Sequence, residues 1–126
     1  MPIETISTDS APAAVGPYSQ AAMSGSLVFC SGQVPIDPKT SSLIEGDIQK
    51  QTHQVMKNLE NVLKAANLDL SHIVKTTIYL QDMENFSKVN EVYAGYFNPP
   101  FPARATIEVA KLPLGAEVEI EAIASR

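Results

Sequence analysis

The sequence contains no tryptophan and only one cysteine and two histidines in 126 residues. A lone cysteine, Cys30, excludes an internal disulfide and fits a reducing compartment. His53 and His72 lie too far apart to set up metal-ligand spacing, so no metal site is expected. Positive charge is also scarce, with nine Lys and Arg against fourteen Asp and Glu and a net charge of −5. Nucleic-acid backbones are bound by clustered cations, so they are excluded as the main partner. No apolar run approaches the ~20 residues of a membrane span. The opening stretch MPIETISTDSAPAAVG lacks the basic and apolar regions of a secretory signal and the arginines of a transit peptide, which makes the cytoplasm the default location. No G-x-S-x-G, P-loop or dinucleotide fingerprint is present, leaving covalent serine catalysis and nucleotide chemistry without support.

What remains is an ordinary globular composition, 44% hydrophobic and 18% charged, with a length that suits a single domain over residues 1–126. Ile3 to Ser7 reads as a short edge strand. Tyr18 to Met23 and Ser26 to Gln33 read as a hairpin about Ser24-Gly25. Pro35, Asp37-Pro38 and Gly46 mark a loop without periodicity. From Asp47 the period changes. Ile48, Thr52, Val55, Met56, Leu59, Val62, Leu63 and Ala66 recur at helical spacing, with Gly46-Asp47 supplying the N-cap and Asn67 a left-handed stop. Ile73 to Leu80 is rich in β-branched residues and predicts a strand. Asp82 or Asn85 can cap a second helix whose stripe is Phe86, Val89, Val92, Tyr93, Tyr96 and Phe97. Two alternating runs follow, Ala105 to Val109 and Val118 to Ala122, and the short turn at Leu112 to Gly115 suggests that they pair as a hairpin. The order β-β-β-α-β-α-β-β is an α+β pattern. Two helices can cover one face of such a sheet, yet several strands carry apolar groups on both faces, so a second copy of the chain is expected to hide the other.

The chemistry concentrates near the C-terminal end. Arg104 follows Pro99, Pro100 and Pro102, which stiffen its approach. Its planar fork matches a carboxylate bidentately; the competing reading is a surface arginine, or an ion pair with Glu108 or Glu119. Glu117, Glu119 and Glu121 fall on one strand face at period two. They are either a solvated acidic face or a carboxylate whose ionisation is opposed by like charges and favoured by the arginine, as general acid/base work needs. Cys30 alternates into a strand and reads as a small buried hydrophobe rather than a nucleophile. His53 lies on the polar side of the first helix, and His72 reads as a turn residue.

The blocks GPYSQ (16–20), SGQVP (31–35), VKTTIYLQDMENF (74–86), VNEVY (89–93), FPAR (101–104) and VAKLPLGAEVEIEAIA (109–124) resemble, in order and over nearly the whole chain, the RidA (YjgF) family. The resemblance implies a chorismate-mutase-like α+β fold, with a mixed sheet and two helices packed on one face. It further implies a homotrimer with clefts between subunits. The implied activity is hydrolytic deamination of reactive 2-imino acids, released as enamines by pyridoxal-phosphate enzymes, to 2-oxo acids and ammonia, with no cofactor. Position by position, Arg104 matches the carboxylate-binding arginine and Glu119 the acid that positions or activates water. Tyr18, Ser31, Gly32 and Asn90 match positions around the cleft, Tyr18 reaching across the subunit boundary and Gly32 admitting backbone N–H groups to the substrate. Thr106 stands where relatives often carry cysteine, which excludes a role for a thiol here and matters little if the residue acts through its backbone N–H. The alternatives are a non-catalytic 2-oxo-acid-binding or chaperone-like, translation-inhibiting protein, and chorismate mutase itself. The last rests on fold analogy alone, and its dianionic substrate wants more cations than Arg104 supplies.

Overall fold

The computed structural model describes residues 3–126. Strands β1 (Glu4–Ile6), β2 (Ala21–Ser24) and β3 (Leu27–Gln33) come first, followed by a two-strand pair, β4 (Ile36–Asp37) and β5 (Ser42–Leu43). Helix α1 (Ile48–Ala65), strand β6 (Ile73–Leu80), helix α2 (Phe86–Ala94) and strands β7 (Ala103–Glu108) and β8 (Val118–Ser125) complete the chain. Apart from the β4–β5 pair, which lies in the stretch read as a loop, the elements fall in the expected order.

Local chemistry sets the boundaries. Asp47 accepts a hydrogen bond from the Lys50 N–H at 2.9 Å and opens α1. Asn67 takes a left-handed backbone (φ 61°) just past its end. Gly25 supplies the left-handed turn (φ 59°) between β2 and β3. Asp82 caps a short 3₁₀ turn, Met83–Asn85, and α2 follows directly, with no side-chain cap from Asn85. The helix stops at Ala94 before Gly95, so Tyr96 and Phe97, read as its last stripe positions, lie beyond it while still packing on the core.

Six strands form one mixed sheet in the order β1-β2-β3-β8-β6-β7. Neighbours are antiparallel except β6 and β7, which are parallel and joined through α2. That crossover decides the end of the chain. Parallel strands cannot be joined by a tight turn, so β7 needs the helix before it. Strand β8 then passes beyond β6 to pair with both β3 and β6. The expected β7–β8 hairpin therefore does not form: β6 lies between the two strands.

Both helices pack on one face. Val55, Met56, Leu59, Val62 and Leu63 of α1 are fully buried against Val28, Ile78, Leu80, Val118, Ile120 and Ala124 of the sheet and Val89 of α2. Cys30 joins this core, and burial pushes its thiol up to about 11, far from a reactive thiolate. The other face carries Leu27, Phe29, Val74 and Ile107, each more than a third exposed. No helix among the described residues is long and apolar enough to cross a membrane.

One buried polar group ties the β4–β5 pair to α1. Asn58 has no exposed surface; its Nδ2 donates to Val34 O (3.2 Å) and Ile36 O (2.9 Å), and its Oδ1 accepts from Gln54 (2.9 Å). Asn58→Ala removes the side-chain donor to Ile36 O, while Val34 O keeps the Ile36 N–H at 2.7 Å, and is expected to cost about 1–3 kcal/mol. Urea unfolding measures the loss, and hydrogen exchange should quicken across 34–44; an unchanged midpoint refutes the assignment.

Candidate functional site

Arg104 is built into a groove between β7 and α2. Its position pairs in register with Thr76 of β6, a residue buried on the helix side of the sheet. The guanidinium carbon lies 5.2 Å from the Tyr93 ring centre and 5.5 Å from that of Phe86, and Nη1 donates to Asn90 Oδ1 at 2.6 Å. Phe86, Asn90 and Tyr93 stand at i, i+4 and i+7 of α2, which is one helix face. Tyr93 is itself pinned from below, its hydroxyl 2.8 Å from Thr76 Oγ1. Each ring contact is worth about 0.5–1 kcal/mol at an exposed cation. These contacts orient the arginine without consuming it. Among the described residues it has no carboxylate partner, because Glu108 accepts from the Met83 N–H (2.8 Å) and the only ion pair is His72 with Asp69. Next to it Asn90, Tyr93, Ala94, Phe101 and Pro102 enclose a cavity of about 400 Å³. A fork with free N–H donors beside apolar walls suits a small organic anion.

A second cluster occupies the open face. Glu119 pairs in register with Tyr79, and Glu121 with Thr77. Burial pushes the Glu119 carboxyl above the usual range, and the neighbouring Glu121 adds to the effect. The Tyr79 hydroxyl donates to Glu121 Oε1, a contact that holds the phenol's proton and raises its pKa. Gly32 leaves room for the glutamate: a Cβ there would sit 3.0 Å from Glu119 Cδ and closer still to Oε2. The close approach at Gly32 is thus made by the Glu119 carboxylate. Ser31 Oγ donates to Ser19 O at 2.6 Å, and Ser31 N–H to Gln20 O at 2.9 Å, so the Tyr18-Ser19 segment is fastened beside Gly32. Tyr18 itself is half exposed. Glu117 leaves this group. It precedes β8, and its carboxylate faces Gln51 of α1 at 3.5 Å, so the three glutamates do not form one row.

The two clusters lie on opposite faces of the sheet. Side chains alternate along a strand, and across β6 the register sets Arg104 with Thr76 on the helix side but Glu119 with Tyr79 on the open side. Arg104, Asn90 and Thr106 are brought together, as are Tyr18, Ser31, Gly32 and Glu119. One copy of the chain does not bring the first group to the second. The expectation that arginine and glutamates lie on adjacent strands is overturned by the insertion of β6.

The comparisons with known proteins fit this fold. The family model described as endoribonuclease L-PSP matches residues 8–126. The mouse 2-iminobutanoate/2-iminopropanoate deaminase is 50% identical over 121 residues, covering 96% of this chain and 90% of the relative. The chain belongs to the RidA family. The Arabidopsis chloroplastic Reactive Intermediate Deaminase A is 51% identical over 97% of this chain and 65% of that protein. A solved member of the Rid family from Yersinia pestis, whose function is given as unknown, superposes with a TM-score of 0.96 at 50% identity, covering 99% of this chain and all of the other. Fold and family agree with the resemblance carried by the six sequence blocks.

Sequence reasoning missed two supports. Phe86 and Tyr93 read as core stripe, yet their rings face the guanidinium; the signal was their spacing about Asn90. Gln20 is buried, and its side-chain amide bonds both the N–H (2.7 Å) and the carbonyl (3.0 Å) of Thr8, with Pro12 O at 2.8 Å, securing the loop that leads to Tyr18. Only tertiary contact reveals that role.

The raised carboxyl gives a signed expectation. A group whose folded pKa lies above its unfolded value stabilises the fold below the unfolded pKa, and that contribution fades as pH rises through the folded one. Wild type should therefore lose thermal stability relative to Glu119→Gln as pH climbs out of the ordinary carboxylate range. Melting curves from acid to neutral pH read this directly; a parallel pair of curves contradicts it.

Proposed function

We propose that the protein hydrolyses short 2-imino acids to 2-oxo acids and ammonia, in active sites assembled between copies of a homotrimer. The observation that carries this reading is the unpaired, aromatic-shelved Arg104 on one face and the hard-to-ionise Glu119 on the other. Each is half of a site, and a second copy laid on the open face joins them. The mouse and Arabidopsis relatives carry deaminase names, which supports the same chemistry here.

In this arrangement Arg104 grips the substrate carboxylate through its fork, with Asn90 fixing its angle. Val109 N–H donates back to Leu80 O, and alternation turns the N–H groups of 104 and 106 to the free edge of β7. Tyr18, Ser31 and Gly32 of the neighbouring copy close the pocket around Glu119. Water adds to the C=N carbon of the protonated imine with Glu119 taking one proton, giving a neutral carbinolamine. Glu119 returns that proton to nitrogen, then accepts the hydroxyl proton as the C–N bond breaks, the ketone forms and ammonia leaves. Atoms balance with water alone, so the reaction calls for neither metal nor cofactor. Positioning supplies much of the acceleration, since imines already react with water. The lone buried thiol and acidic balance suit a reducing compartment, and the cytoplasm is the proposed location.

The family's endoribonuclease description finds no support in the charge pattern. RNA phosphates would face Glu119 and Glu121, and cations are not clustered there. A non-catalytic 2-oxo-acid binder would use the same arginine and leave Glu119 without a task.

Arg104→Lys keeps the charge and loses the fork. It is expected to lower kcat/KM for 2-iminobutanoate on the order of 10–100-fold, as charged hydrogen bonds are worth about 1.5–3 kcal/mol. Glu119→Gln should keep 2-oxobutanoate binding and lose about 10²–10⁴ in kcat; an unchanged rate with binding intact establishes the binder instead. Mixing the two variants tests the shared site. When copies exchange at random, about one site in four regains both groups in a closed ring, so activity should return to roughly a quarter of wild type. No recovery after confirmed exchange rejects the shared site.

A further inference from the structure

Thr106 Oγ1 is a buried side-chain oxygen without a hydrogen-bond partner among the described residues. The residue nevertheless lines the groove beside Arg104, with Met83, Glu84, Phe86 and Ser87. Leaving a hydroxyl buried and unpaired lowers stability. Nothing nearby on the same strand face relieves it, because Arg104 is turned to Asn90 and Glu108 to the Met83 N–H. Valine has the same shape and strong strand preference, with no hydroxyl to satisfy. On packing grounds it is the better residue here, so the oxygen needs another reason to be present.

We propose that the Thr106 hydroxyl is a substrate contact that hydrogen-bonds the group on C2 of the bound acid while Arg104 holds the carboxylate. The inference rests on the reading of Arg104 as carboxylate anchor. Residues 104 and 106 point to the same face of β7, about 7 Å apart along the strand. The C2 substituent is attached one bond from the carboxylate carbon, so an acid gripped by the fork extends along the strand toward Thr106. A single χ1 step between staggered wells swings the inward oxygen toward the groove. There the ligand supplies the missing partner. A hydroxyl can both accept and donate. It accepts from the N–H of the imine and donates to the carbonyl oxygen of the 2-oxo acid, and so stays bonded to the reacting centre as nitrogen gives way to oxygen. Neither the backbone N–H at this position nor the guanidinium can make both bonds, since each only donates.

The test compares Thr106→Val, Thr106→Ser and Arg104→Lys with wild type in three readouts: melting temperature, kcat/KM for 2-iminobutanoate, and calorimetric Kd for 2-oxobutanoate. Thr106→Val should melt at or above the wild-type temperature. It should also lose on the order of tenfold in kcat/KM and bind 2-oxobutanoate about tenfold more weakly, each tenfold corresponding to about 1.4 kcal/mol. Thr106→Ser should recover most of both. Unchanged turnover and Kd in Thr106→Val, with Arg104→Lys impaired, overturns the hydroxyl assignment alone. If Arg104→Lys is also unimpaired, the carboxylate-anchor reading falls with it. A lower melting temperature or a dissociated assembly in Thr106→Val also overturns the proposal, by showing that a neighbouring copy already pairs the oxygen.

Discussion

The register of β6 against its two neighbours is the constraint to which the rest of the molecule answers. Side chains alternate with a period of two, so slipping either pairing by one residue would exchange every group between the covered and open faces. The register is held from the covered side. Thr76, Ile78 and Leu80 are all fully buried there, and the Thr76 hydroxyl meets Tyr93 of α2 at 2.8 Å. Tyr93 is also the ring beneath Arg104. The contact that locks strand to helix is therefore the same one that levels the shelf on which the guanidinium lies, and stability and positioning cannot be separated at this point.

With that register, the proposed site needs more than one copy. Within a single chain the arginine and the glutamate are divided by the sheet itself, and no loop movement brings them together. The open face meanwhile leaves Phe29, opposite Ile123, at 44% exposure and Ile107, in register with the Tyr79 that pairs with Glu119, at 45%. Large apolar groups on a face that also carries acids are costly to leave in water and costly to cover with anything charged. Laying another copy on this face removes apolar surface from water at about 25 cal/mol per Å². In the proposed assembly it also carries an edge of α2 and β7 toward the carboxylate. The same association meets both demands, which is the economy behind the proposed trimer.

Much of this was legible in the sequence where a short-range rule applied. The helical period from Ile48, the cap at Asp47, the left-handed Asn67 and the strand Ile73–Leu80 all depend on neighbours within a few residues, and all fall as read. The final hairpin failed because strand order is a long-range matter. The stretch Val109 to Glu117 looks like a turn locally, while the pairing of β8 with β3 depends on residues ninety positions away in the chain, such as Phe29 opposite Ile123. The same limit hid the face of Arg104. Alternation tells which residues share a side, but not which side the helices take. Glu117 was misplaced for a related reason: period two extends along a strand, and the strand begins one residue later, at Val118.

The arrangement also suits the proposed role of Glu119, a carboxyl that takes a proton and then gives it back. An isolated glutamate would be too weak a base to draw a proton from water and too weakly protonated to donate one. Here burial and the Glu121 charge both raise its proton affinity. Glu121 in turn is kept in place by the Tyr79 hydroxyl rather than by a cation, so its charge is aimed without being cancelled. An anionic substrate would normally add a third negative charge to this cluster. In the proposed site the fork of Arg104 takes up that charge at the carboxylate, one bond from the reacting carbon. The proton affinity of Glu119 is then governed mainly by its own strand and its burial, and less by whether substrate is present. Placing Arg104, the proposed anchor, and Glu119, the proposed proton carrier, on two faces of one sheet also keeps the arginine from pairing with the glutamate inside a single chain. Such a pair would depress the acid and occupy the fork together, disabling both halves at once.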